Sequence, residues 1–217
     1  LKISYFRKVV KVNSIHYDYF VKSKFTKKKT FSKILFIDVP FDHPDRILRE
    51  GKANDGDSKI FYTKLKVFLE NLSKAYKSKI IIGLHPSTKN KSHFFSSFFI
   101  SKKKTNDLIK KCEIIVVTHS SLIPLAALYK KKIISINSSL LGDYHNNLIK
   151  KYSKNLGLPS FSIDKNVKSL NKKDLSKKFQ NSLDQQKKFI KMNIFSGKNE
   201  TSCGKIIKTI KKHYGFI

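Results

Sequence analysis

The chain has 217 residues, a 40% hydrophobic share and a formal net charge of +31. That length accommodates one large domain or one domain with appendages, and that composition supports a real core. No run of about 18 apolar residues exists to cross a membrane as a helix, and the charged, Tyr-containing start does not have the pattern of a signal peptide. The first residue is Leu rather than Met, so the chain is expected to be a piece of something longer.

Only three of the 46 basic residues are arginine: Arg7, Arg46 and Arg49. Phosphate and base recognition favours the bidentate fork of arginine, so a nearly pure lysine excess argues against a nucleic-acid partner. The lysines accompany abundant Ile, Asn, Phe, Ser and Tyr, as an AT-rich genome produces, and read as a solvated surface. Peripheral contact with an anionic membrane through these lysines is kept as an expectation. Cys112 and Cys203 lie far apart with no CxxC spacing and read as structural thiols in a reduced compartment.

Residues 1–31 mix Tyr, Phe and Lys without a clean period and are expected to be a linker or the remnant of a preceding domain. Lys33–Val39 is the first convincing strand, stopped by Pro40. A polar loop from Gly51 to Asp57 follows, and Asp57 or Ser58 can cap the next helix. In that helix Phe61, Leu65, Phe68, Leu69, Leu72 and Tyr76 recur at helical spacing. The short Ile-rich run Lys79–Leu84 reads as a strand buried on both faces, which completes a βαβ unit.

Residues 87–103 read as a polar loop followed by a short buried aromatic segment, Phe94, Phe95, Phe98 and Phe99. Thr105 is expected to cap a helix to Lys111, and Glu113–Thr118 to be the next buried strand. Ser120 and Ser121 then open a helix Leu122–Tyr129 with Pro124 in its first turn, and strand Lys132–Asn137 closes a second βαβ unit. Asp143–Leu156 is expected to be helical and ended by Gly157, followed by a weak strand Ser160–Ile163. Two Lys-rich helices, 172–195 and 201–213, separated by Ser196 and Gly197, finish the chain. The expectation is an α/β, Rossmann-like parallel sheet over residues 32–165, with C-terminal helices over 166–217 packing on it.

Ligands of an open parallel sheet bind beyond the carboxyl ends of its strands. Two strand ends carry chemistry there: His85 and Pro86 after one, His119, Ser120 and Ser121 after another. Hydroxyls at a helix N-terminus can hold a phosphate, and a histidine beside them can donate to it or protonate a leaving group. Asp38, at the end of the first strand, points at the same crevice and contacts a ligand or caps the loop before Pro40. Asp42, His43 and Asp45 make a poor metal set, so no metal site and no cofactor are expected.

The order strand–His85-Pro86, Lys104-Thr105 opening a helix, strand–His119-Ser120-Ser121–helix, then strand Lys132–Asn137 resembles a known pattern. It is similar to the C-terminal, nucleotide-sugar-binding domain of bacterial GT-B glycosyltransferases that build surface polysaccharides. Within these it resembles the sialyltransferase and polysialyltransferase-like members, related to Kdo transferases, and the likeness covers about residues 32 to 213. The Asp38–Asp45 stretch resembles the first strand end in capsule-type proteins of this group.

The resemblance implies one half of a GT-B fold binding a CMP-activated sugar, such as sialic acid or Kdo, for capsule or lipopolysaccharide synthesis. His85 and Pro86 match the HP motif, where the histidine stabilises charge on the departing phosphate. Ser120 and Ser121 match the serine/threonine pair that binds that phosphate, with Thr105 and His119 as neighbouring binding residues and Asp38 as a second catalytic candidate. It implies no bound metal, a glycan acceptor as second substrate, and a location in the cytoplasm, at the inner face of the membrane. The general base of such enzymes lies in an acidic-acidic-Gly motif of an N-terminal domain. Arg49-Glu50-Gly51 is the nearest string here and has one acid, so that base and the acceptor half are expected on a missing N-terminal domain.

Two other readings stand beside this one. The same fold serves CDP-glycerol-type phosphotransferases and UDP-sugar enzymes, although the residues after Ser120 lack the Gly-rich turn and acid usual for UDP-sugars. A non-enzymatic, lysine-rich binder of nucleic acid or anionic membrane is the third.

Overall fold

A computed structural model describes residues 12–23, 31–51, 54, 56–86, 93–165, 170–195 and 200–214. Six strands run parallel in one sheet: β1 (Phe31–Ile37), β2 (Ile80–Gly83), β3 (Phe99–Ile100), β4 (Cys112–Val117), β5 (Lys132–Asn137) and β6 (Ser160–Ser162). Their spatial order is β3-β2-β1-β4-β5-β6, the doubly wound Rossmann arrangement, with its switch point between β1 and β4. The expected α/β, Rossmann-like fold is the observed one.

The strands are uninterrupted Ile/Val runs because both faces are covered. Ile34 and Phe36 of β1 face one helical layer, with Ile80, Ile82, Ile114, Val116, Ile134 and Ile136. Leu35 and Ile37 face the other, with Ile81, Ile115, Val117 and Ile133. Helix α3 (Asp57–Tyr76) covers the first face with Phe61, Leu65, Phe68, Leu69 and Leu72, as its periodicity predicts. The opposite face is covered by α4 (Thr105–Lys111) and α5 (Ile123–Leu128), through Leu108, Ile109, Leu125 and Ala126.

Two elements lie where the sequence suggested none. Residues Ile15–Lys22, expected as linker, form helix α1, capped by Ser14, and bury Tyr17 against the α5 layer beside Phe195, at 5.2 Å between rings. Tertiary packing here overrides an aperiodic local pattern; Lys27–Lys29 lies outside the described residues. The two-residue strand β3 extends the sheet beside β2. Of the aromatic segment, Phe95 is buried and Phe94 stacks on Tyr62 at 4.6 Å, but Phe99 on β3 is 66% exposed.

Other expected caps move. Gly56, at φ 93°, is the N-cap of α3, with Asp57 already helical, and Lys104 rather than Thr105 precedes α4; neither cap makes a side-chain hydrogen bond. Helix α6 (Asp143–Leu156) ends on Gly157 in the left-handed conformation at φ 60°, as read from sequence. Helices α7 (Lys172–Asn193) and α8 (Ser202–Tyr214) complete the chain; Ser196 and Gly197 between them lie outside the described residues. No helix among the described residues is long and apolar enough to cross a membrane.

Candidate functional site

Where β1 and β4 part company, the chain turns away on opposite sides of the sheet and leaves a crevice. Register sets its floor: Ile37 is level with Gly83 on β2 and with Val117 on β4. The residues following each strand therefore converge. The resulting cleft, about 940 Å³, is lined by all seven residues singled out in sequence: Asp38, His85, Pro86, Thr105, His119, Ser120 and Ser121.

Asp38 is 2% exposed, and its Oδ2 accepts the backbone N–H of His85 at 3.4 Å, while its own N–H donates to Gly83 O. It thus ties the end of β1 to the loop after β2. Thr105, at the start of α4, packs on Gly83: a Cβ there would come within 3.3 Å of the threonine methyl. Gly83 therefore lets α4 approach the strand end closely.

Ser120 and Ser121 do not sit where the helix-dipole argument put them. Helix α5 begins at Ile123, its N-cap is Leu122, and it is six residues long. Ser120 Oγ accepts the N–H of Leu122 at 3.2 Å, which leaves its hydroxyl proton to donate. The pair forms a hydroxyl-bearing turn on the cleft wall, without a capped helix behind it.

Four histidines meet at the cleft, two more than the motifs suggested. His85 packs edge-on against His43, 5.4 Å between rings. His119 packs against His145, 4.2 Å between rings. His43 is the N-cap of α2 (Pro44–Glu50), and its Nδ1 accepts the Asp45 N–H at 3.2 Å, so that nitrogen is committed to the helix rather than to a metal. Among the described residues no cluster of three or more His, Cys, Asp or Glu is arranged to hold a metal ion.

Burial shapes the charge of these rings. It pushes His119 down to about 4, helped by His145 and His43, and its Nδ1 has no hydrogen-bond partner among the described residues. His85 is lowered by burial and then by His43. His145, 3% exposed, is lowered by burial, against the pull of Glu50. Glu50 Oε1 accepts the His145 backbone N–H at 3.1 Å and stands 3.6 Å from its Nδ1, too far for a good hydrogen bond.

The basic residues of the cleft are Arg49, 4.4 Å above the Tyr144 ring, and the run Lys102, Lys103 and Lys104. Arg46, buried behind, donates from Nη2 to Leu140 O at 2.7 Å and lies 4.2 Å over Phe41. Against these cations stand Asp38 and Asp45. The cleft therefore offers imidazoles, hydroxyls and fixed positive charge, a set suited to a phosphate-bearing anion.

Sequence reasoning missed His145, Tyr144, Arg49, Glu50 and the cleft role of His43. One signal was present: in a chain that uses lysine almost throughout, two of its three arginines stand three positions apart, on what proves to be α2. Nothing in the sequence marked His145, which lines the cleft from α6, a helix packed against α2.

No family model and no curated protein matches the chain. Among solved structures it is similar to a UDP-GlcNAc 2-epimerase of Methanocaldococcus jannaschii in complex with UDP-GlcNAc and UDP. Identity there is 15%, over 92% of this chain and 49% of that one, with a TM-score of 0.42. Another is the spinosyn forosaminyltransferase SpnP, at 10% identity over 85% of this chain and 45% of that one, with a TM-score of 0.40. The chain spans about half the length of each of these structures. Likenesses of this size carry no weight for activity; the fold rests on the strand order itself.

Proposed function

We propose that this chain is the donor-binding half of a GT-B glycosyltransferase of surface-polysaccharide synthesis, using a CMP-activated sugar such as sialic acid or Kdo. The observation that carries the reading is the convergence of His85, Pro86, Thr105, His119, Ser120 and Ser121 on one cleft beside Arg49 and Lys102–Lys104. In this reading Ser120 and Ser121 donate hydroxyl protons to the donor phosphate. His85 stabilises charge on the departing nucleotide, an electrostatic role for a group aimed where charge develops. Asp38 fixes the His85 loop through the backbone N–H it accepts. The glycan acceptor and the general base come from a second domain, and the enzyme works in the cytoplasm, at the inner membrane face.

Calorimetric titration of CMP, CDP and UDP into the protein tests this. CMP is expected to bind best, and His85→Ala to weaken it about tenfold or more, the scale of a lost charge-assisted hydrogen bond. Preference for UDP or CDP would move the donor to a UDP-sugar or to CDP-glycerol. Failure of all three to bind, or indifference to His85→Ala, would sink the reading.

A further inference from the structure

Helix α8 carries Lys205, Lys208, Lys211 and Lys212 and no acidic residue. Its start is fastened to α1: the Ser202 N–H donates to the Asp18 carboxylate at 2.8 Å, and the Ser202 hydroxyl donates to Asn13 O. At 3.6 residues per turn, Cys203, Ile206, Ile207 and Ile210 fall on one side of the helix. A helix on a globular body ordinarily turns such a stripe inward. Here Ser202, Gly204, Lys205 and Thr209 are the half-covered positions among the described side chains. Ile206, Ile207 and Ile210 are 44%, 49% and 41% exposed, and Cys203 is exposed as well.

Single exposed apolar residues need no explanation, but three isoleucines in one stripe beside lysines do. We infer that α8 docks on the surface of an anionic lipid bilayer, its isoleucines in the acyl boundary and its lysines among the headgroups. Charge complementarity selects this occupant. The chain is +31 overall, so a second copy would bring like charges together at the stripe. Nucleic acid would use the lysines and leave the isoleucines in water. Lys208, Lys211 and Lys212 are exposed, Lys211 nearest Ile207 around the helix and Lys208 paired with Glu200 Oε2 at 3.2 Å. The inference is independent of what the cleft binds.

The test uses the full chain with vesicles of phosphatidylcholine alone and of an equal mixture with phosphatidylglycerol, at physiological salt. Sedimentation is expected to show binding to the mixed vesicles and not to the neutral ones. The double variant Ile207→Asp, Ile210→Asp is expected to lower that binding about tenfold or more, with an unchanged circular dichroism spectrum and thermal midpoint as the check on folding. The chain has no tryptophan, so Ile207→Trp supplies a single indole, expected to shift its emission to the blue on mixed vesicles only. Three results would overturn the inference: aspartate variants that bind as before, an indole that stays solvated on bound protein, or duplex DNA bound in place of the vesicles. Self-association through the stripe without vesicle binding would overturn it too.

Discussion

The two histidine pairs of the cleft use the same side chain at different depths. His43 and His85 are half-buried and meet edge-on, each at the end of a loop. His119 and His145 lie deeper, 4.2 Å apart, with His145 3% exposed and its backbone held by Glu50. Desolvation is the leading cause at both His119 and His85, and His145 and His43 add to it at His119, which is held down to about 4, whereas His85 is only lowered. His119 is thereby held neutral at pH 7, with the buried His145 ring packed against it. A phosphate-bearing anion beside His85 would oppose the lowering there, since a nearby negative charge favours imidazolium.

The sharpest way to break this comparison is acid titration of stability. His119 titrates near 4 in the folded chain and at 6.5 unfolded, so the unfolded chain binds its proton more readily between those values. The stabilisation that goes with a neutral His119 is therefore complete above pH 6.5 and lost progressively as the pH falls toward about 4. At about 1.4 kcal/mol per pH unit, this amounts to roughly 3 kcal/mol. Urea unfolding across that range is expected to show the slope, and His119→Leu to remove its share. A variant with the wild-type slope would place the titration elsewhere.

Next in size is Gly142→Ala. Gly142 sits at φ 81° and ψ 167°, a region nearly reserved for glycine, and an added methyl would run into the Glu50 carboxylate. A loss of about 1–3 kcal/mol is expected for the backbone alone, read from the urea midpoint. His119 is also expected to titrate higher, because displacing Glu50 loosens the deep pair. An unchanged His119 titration would show that Glu50 does not support it.

The smallest effect is expected at the shallow pair. His43→Ala removes a repulsive neighbour and some cover from His85, whose titration should rise toward 6.5. NMR titration of the histidine ring protons measures it. If His85 stayed where it was, the two rings would not be electrostatically linked.

Much of the fold was legible. Strand Lys132–Asn137 and helix Asp143–Leu156 with its glycine stop were read with their observed bounds. Both were legible because periodicity and a left-handed glycine are local properties. Helix α1 was not, since its residues have no clean period and Tyr17 is held by α5 and Phe195 from far along the chain. The Ser120–Ser121 turn was misread as a helix start, because Ser accepts a local N–H equally well in a turn.

By itself the sequence determined the alternation of buried strands and amphipathic helices, and with it a Rossmann-like parallel sheet, the residues at each strand's carboxyl end, and the lysine-heavy surface. These follow from short-range pattern and composition. Only the tertiary structure decided which strand ends share a crevice, because that depends on the parallel register of β1 with both β2 and β4. It alone brought His43 and His145, some hundred residues apart in the chain, to one cleft. It alone set the proton affinities of His85, His119 and His145, since burial is a property of the folded surroundings and not of the residue.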